Sequence, residues 1–182
     1  MNKVALNEYN NSWYKPGPAL KRVCWYMVNG LFFKSGIFPF SGLKRGMLRL
    51  FGGKVGKGVV IKPYVSVKYP WLLTIGNYCW IGEHVWIDNL AEVNISDNVC
   101  ISQGALILCG NHDYTKITFD LSVQPIHIHE GAWVGAKSIV GPGTVLESHA
   151  VLTAGSVGTG TLSAYSIYRG NPAVKIKDRI IQ

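Results

Sequence analysis

Five histidines are present in the chain, and His112 is the one whose surroundings suit proton transfer. It lies in "ILCGNHDYTK" (Ile107 to Lys116), where an otherwise regular six-residue pattern breaks until Ile128. An unperturbed imidazole, with a pKa of about 6.5, accepts a proton near neutral pH, as a general base must. A lone loop histidine is ordinarily a surface residue. What singles out His112 is that a long loop breaking a compact repeat costs chain entropy and adds little core, so it is usually kept for function. Tyr114, Ile117, Phe119 and Leu121 make this loop too apolar for simple disorder. His84 and His149 fall at turn positions and are expected to face solvent. His127 and His129, two apart on a strand, share a face and are the pair that could bind a metal. Cys24, Cys79, Cys100 and Cys109 contain no CxxC pair and no zinc-type spacing, which suits reduced thiols in a cytosolic protein.

The elements that would position His112 follow from the repeat. Aliphatic residues recur at Val55, Ile61, Val67, Ile75, Ile81, Ile87, Ile95, Ile101 and Ile107, then at Ile128, Val134, Val140, Leu146 and Leu152. Four residues after each comes a small or modest side chain, such as Val59, Cys79, Ala105, Ser138 or Ala150. A period of six is a short strand plus a tight turn, with Gly or Asn accepting the unusual dihedrals at the bend. Three such units close a triangular coil, and coils stack at about 4.8 Å, the spacing of parallel strands. One coil has no core of its own, so several must stack and the ends must be capped.

Coil lengths place the candidate chemistry. Ile75 follows Val55 by 20 residues and Ile95 follows Ile75 by 20, so each of these coils carries a two-residue bulge, near Trp71–Leu72 and near Leu90–Ala91. Ile128 follows Ile95 by 33, an insertion of fifteen. The count gives about five coils, from Val55 to about Leu162. With coils offset by 20, Asp88 stacks on Leu108 and Asn89 on Cys109, at the root of the loop. A histidine, a carboxylate and an amide around one loop make a proton-transfer and hydroxyl-binding site, with Asp88, Asn89 and Asn111 as the acceptor-binding candidates.

The stretches "IGEHVWIDNL" (Ile81 to Leu90), "NVCISQGA" (Asn98 to Ala105), "GNHDYT" (Gly110 to Thr115), "GAWVGAKSIVGPG" (Gly131 to Gly143) and "GNPA" (Gly170 to Ala173) are each weak signals. In this order and register the chain resembles the hexapeptide-repeat acyltransferases over residues 50 to 177, and most the colanic-acid type and other sugar O-acetyltransferases. The resemblance implies an all-β fold, a left-handed parallel β-helix, and an acetyl-CoA-dependent O-acetyltransferase acting on a sugar or exopolysaccharide hydroxyl. His112 matches the family's general base. Trp133 would pack beside the pantetheine arm, Ala136 and Ala154 would present backbone groups to it, and Lys175 and Lys177 would meet the CoA phosphates. The family forms trimers with each active site between two subunits. One departure stands out: many relatives carry a basic residue where this chain has Gly160 in "AGSVGTGTL". Some β-helices of this kind are zinc carbonic anhydrases, but their histidine spacing differs from His127-x-His129, and no metal is expected.

Residues 1–54 stand outside the repeat and are expected to form a helical N-terminal cap on the β-helix of 55–182, whose active-site loop is 109–127. Pro18 to Phe33 predicts a helix with Leu20, Val23, Met27 and Leu31 on one face, and Ser41 to Gly52 a shorter one carrying Lys44, Arg45 and Arg49. The net charge of +8 predicts an anionic partner. The basic residues are scattered without a recognition motif, which ranks nucleic acid last; a peripheral contact of the basic N-terminal segment with the inner membrane face stays open. No secretory signal is read at the N-terminus, and the most apolar run, Val23 to Phe33, is too short to span a bilayer. A cytoplasmic protein is expected. The alternative is a non-catalytic scaffold or membrane-docking module that has kept the fold.

Overall fold

The computed structural model describes residues 3–182. Strands of mostly two or three residues wind the chain into a left-handed parallel β-helix with three flat faces. The first face stacks Lys54–Val55, Leu73–Ile75, Val93–Ile95, Ile126–Ile128, Val145–Leu146 and Thr161–Leu162. The second stacks Val60–Ile61, Trp80–Ile81, Cys100–Ile101, Trp133–Val134, Val151–Leu152 and Ser166–Gly170, and the third Ser66–Val67, Trp86–Asp88, Leu106–Leu108, Ile139–Val140 and Val157–Gly158. The register sets like on like: Val55 beside Ile75, Ile75 beside Ile95, Ile95 beside Ile128, Ile128 beside Leu146. All fourteen repeat aliphatics are buried, each contributing on the order of 1.5–3 kcal/mol.

The corners show why the period is six. At the corners between the first and second and between the second and third faces, the third residue after the inward aliphatic takes a left-handed φ, at Tyr64 (62°), Tyr78 (57°), His84 (59°), Asn98 (58°), Lys137 (55°), His149 (58°) and Tyr165 (49°), with glycine at the remaining places. His84 and His149 are therefore turn residues, and each stacks flat on a tyrosine of the neighbouring coil, Tyr64 and Tyr165, at 4.7 Å.

Five coils are complete and a sixth is begun by Thr161–Leu162 and Ser166–Gly170, one more than the repeat predicts. Leu146 pairs with Leu162, only 16 residues on, so the hexad is cut by two and the pattern is lost to the eye. The shortened corner is the one at Gly160, whose φ of 67° suits the tight turn. Ala173–Asp178 then folds back antiparallel on Ser166–Gly170 through the "GNPA" turn and closes that end of the second face.

The other end is closed by α1 (Ala19–Val28), which runs on in a wider turn to Phe33, and α2 (Ser41–Leu50). The first coil has no strand beneath it, so its backbone edge needs partners. Arg49 donates to the Val55 carbonyl at 2.6 and 2.9 Å, Arg45 to that of Val59 at 2.7 Å, Lys44 to that of Lys62 at 2.8 Å, and the Trp25 indole to that of Val67 at 2.8 Å. The cations of α2 thus serve the edge of the sheet and are not free for a membrane. Burial lowers the pKa of Lys44. The helical stripe exists but faces out: Leu20, Val23, Met27 and Leu31 are 57–76% exposed, while Trp25, Asn29 and Phe33 face the coil.

Candidate active site

Every extra residue of the long coils falls at the third corner, between the third and first faces. The first coil has a single helical turn there, Pro70–Leu72, and the second a bend at Leu90–Ala91. The third coil raises a two-stranded ribbon, Gly110–His112 against Leu121–Val123, with Asn111 opposite Ser122 and His112 opposite Leu121. The predicted loop is therefore ordered β structure. Its tip is tied by Asp113 accepting from the Thr115 hydroxyl at 2.6 Å and by an ion pair of Lys116 with Asp120 at 2.9 Å. Hydrogen bonds from Thr115 hold the Asp113 carboxyl below the usual range, and those from Thr118 and Lys116 do the same for Asp120.

His112 is half-buried and held on two sides. Its ring stacks on Phe119 at 4.4 Å and 8°, and Tyr9 from the N-terminal segment leans on it at 5.8 Å. Nδ1 lies 2.9 Å from the Phe119 carbonyl. A carbonyl only accepts, so the neutral ring must carry its proton on Nδ1, and Nε2 is left with its lone pair. The N-terminal segment is pinned over the ribbon by the Ala5 N–H donating to the Ile117 carbonyl at 3.0 Å. It is pinned lower down by the Tyr14 hydroxyl donating to Leu90 at 2.6 Å. Burial raises the Tyr14 pKa well above the usual phenol range, which keeps that donor protonated.

The expected neighbours of His112 divide. Asp88 pairs with Leu108 in register, as the coil count requires, but its carboxylate is taken by Lys68 at 2.9 Å. Asn89 is fully buried, and its amide clasps the Tyr69 backbone, donating at 2.6 Å and accepting at 3.0 Å. It holds the corner together and does not face the loop. Asn111 is exposed beside His112, its side-chain oxygen accepting the His112 N–H at 2.8 Å. Tyr9, Tyr14 and Phe119 carry no signal in the sequence, because the N-terminal segment and the loop lie outside the repeat that sets the register; Lys68 lies inside it, 20 residues before Asp88, and the coil offset points to it.

The residues expected to hold CoA lie elsewhere on the prism. Trp133 is on the second face, half-exposed, its indole donating to the Ser102 hydroxyl at 2.9 Å. Ala136 and Ala154 stack in adjacent coils at the corner between the second and third faces, where the Gly155 N–H donates to the Ala136 carbonyl at 2.9 Å. Lys175 and Lys177 sit on the closing strand; Lys175 is paired with Asp178 at 2.7 Å, and Lys177 has no ion pair among the described residues. One face, roughly 15–20 Å at about 3.3 Å per residue, separates this corner from that of His112. A single chain does not bring the two sets together. Among the described residues there is no group of three His, Cys, Asp or Glu able to hold a metal.

No model of a known protein family matches the chain. It is 36% identical over 167 residues, 92% of each chain, to the putative colanic acid biosynthesis acetyltransferase WcaF of Escherichia coli K12. Among solved structures it is similar to the hexapeptide-repeat acetyltransferase VCA0836 of Vibrio cholerae complexed with acetyl-CoA (TM-score 0.79, 17% identity, 89% and 88% of the two chains). It is also similar to galactoside acetyltransferase in complex with coenzyme A (TM-score 0.77, 22% identity, 87% and 80%). The chain belongs to the hexapeptide-repeat acetyltransferases, with the colanic-acid type among its relatives.

Proposed function

We propose that the protein is an acetyl-CoA-dependent O-acetyltransferase that acetylates a hydroxyl of a sugar or exopolysaccharide intermediate, with His112 as general base. The observation that carries this reading is the 2.9 Å approach of His112 Nδ1 to the Phe119 carbonyl, which commits the ring proton and frees Nε2. Nε2 takes the proton of the acceptor hydroxyl as its oxygen attacks the thioester carbonyl. A tetrahedral oxyanion forms, stabilised by backbone N–H groups. It collapses with cleavage of the C–S bond, and the CoA thiolate recovers the proton from the imidazolium. Asn111 is placed to touch the acceptor. Asp88 and Asn89 act by fixing the corner beneath.

The donor rests along Trp133, Ala136 and Ala154, with Lys177 available to its phosphates; the structures complexed with acetyl-CoA and coenzyme A support acetyl-CoA as that donor. Because those residues and His112 lie on different edges, the site is completed by a second copy, which favours a homotrimer. No helix among the described residues is long and apolar enough to cross a membrane. A cytoplasmic protein that touches the inner membrane face would do so through the outward stripe of α1, with Lys34 at its end, and not through α2.

Thiol release from acetyl-CoA with a panel of monosaccharides and nucleotide sugars tests the function. His112→Ala is expected to lower acceptor-dependent release by roughly 10²–10⁴ with the fold intact. A variant that matches the wild type removes His112 from the chemistry.

A further inference from the structure

A cleft of about 730 Å³ opens between the N-terminal segment and the third corner. It meets His112 through two of its walls: Tyr9, which leans on the His112 ring, and Leu121, the register partner of His112 in the ribbon. Tyr14 and Tyr69 add further rings, and Lys15, Arg22 and Lys68 bring three cations. Arg22, Lys68 and Tyr69 also line a second cleft of about 490 Å³, bounded by Val23, Tyr26 and Trp86. The two spaces therefore meet at a cationic saddle. Their sizes are those of small-molecule sites.

Two of the three cations of the saddle are uncompensated among the described residues. Lys68 is paired with Asp88, but Lys15 and Arg22 form no ion pair among the described residues, and neither cleft is lined by a carboxylate. The cations of α2 are engaged with carbonyls, which accounts for their basicity without an anion; no such partner accounts for Lys15 and Arg22. The sequence of environments, outward from His112, is aromatic and hydroxylated, then cationic, then apolar. Arginine and lysine at such a junction suit a phosphate ester, since a guanidinium binds two of its oxygens at once.

We propose that the acceptor is a glycosyl phosphate or diphosphate. Its sugar lies by Tyr9 and Tyr14 next to His112, its phosphate at Lys15, Arg22 and Lys68, and the apolar or aromatic group esterified to the phosphate lies against Val23, Tyr26 and Trp86. The place of the sugar rests on the O-acetyltransferase reading; the anion site rests on the saddle alone. A nucleotide sugar and a lipid-linked sugar diphosphate share this chemistry.

The test is calorimetric titration of the full chain, saturated with CoA so that the donor site cannot take the probe. The probes are inorganic pyrophosphate, UDP-glucose, a short polyprenyl diphosphate sugar and free glucose. The diphosphates are expected to bind at least about tenfold more tightly than glucose, with an affinity that falls as salt rises. The double variant Lys15→Gln/Arg22→Gln, at two exposed positions, is expected to lose most of that gain, and Arg22→Lys to keep part of it. Preference between the UDP and polyprenyl arms identifies which group fills the second cleft. Equal binding of glucose and the diphosphates overturns the proposal, as does tight diphosphate binding that the double variant leaves intact. Diphosphate binding that the variant abolishes, without thiol release from any acceptor, upholds the anion site and defeats the transfer reading instead.

Discussion

Phe119 touches His112 twice, through its ring and through its carbonyl, and the two contacts separate by mutation. Phe119→Ala removes the stacked ring at 4.4 Å and keeps the carbonyl that orients Nδ1. An aromatic pair of this kind is worth about 0.5–1.5 kcal/mol beyond its area. If a ring that has swung out of line is inactive, losing that term lowers the aligned population, and hence kcat, by about 2- to 13-fold. The ceiling is the loss expected for His112→Ala, since the base is still present. Stopped-time thiol release gives kcat and both KM values; the KM for acetyl-CoA should stay unchanged, and Phe119→Tyr should restore the rate. An unchanged kcat would show that Tyr9 and the Nδ1 contact hold the ring unaided. A fall as deep as that of His112→Ala, with no rescue by Tyr, would mean that the ribbon itself depends on Phe119, and the alignment argument would be refuted.

Two further outcomes concern the cap. Arg49→Ala leaves the Val55 and Gly56 carbonyls without the guanidinium that meets them at 2.6–3.0 Å, and should cost about 1–3 kcal/mol in urea unfolding; a loss under 0.5 kcal/mol would mean that water replaces the side chain. Lys44 has a pKa lowered by burial from its ordinary 10.5, so the unfolded chain holds the extra proton between the two values. Its contribution to stability therefore rises with pH through the folded pKa and levels off above 10.5. The difference in urea midpoint between wild type and Lys44→Met should grow in favour of wild type from pH 7 to pH 10.5, and a flat difference would place the ammonium in contact with water.

The prism was legible because its cause is local: one inward aliphatic per hexad, from Val55 to Leu152, sets the faces, and all of them are buried. The register between Asp88 and Leu108 came from the same arithmetic. The same offset of 20 sets Lys68 beside Asp88 and Tyr69 beside Asn89; what it does not give is the direction of the side chains, and these turn to the preceding coil as an ion pair and a backbone clasp and not to the loop. In α1 the periodicity gave a true stripe, but which side faced the coil was decided by Trp25 and Asn29 reaching the edge at Val67, with Phe33 packed on the Trp25 ring. An apolar stripe points inward only where nothing better fills the space.

Why the ribbon that carries His112 rises at the third corner follows from what the other two allow. Each of those is closed by one residue in the left-handed region, at Tyr64, His84, Asn98 or Lys137, a turn that fixes the number of residues between strands. An extra residue there would shift every inward side chain of the next strand to the outside. At the third corner the bend of the early coils is instead wide, and it is tied to the N-terminal segment by its own Trp71 indole donating to the Pro16 carbonyl and by the Tyr14 hydroxyl donating to the Leu90 carbonyl. Residues can be added there without moving a strand, and the coils show it: two more, two more, fifteen more, none, and then two fewer than eighteen. The ribbon carrying His112 is the largest of these additions. If Trp133, Ala136 and Ala154 hold the donor, the corner that can grow a loop lies a whole face away from the corner that can hold CoA. Catalysis is then reached by bringing the third corner of one copy to the second corner of another, and a protomer alone keeps a base with no thioester to serve.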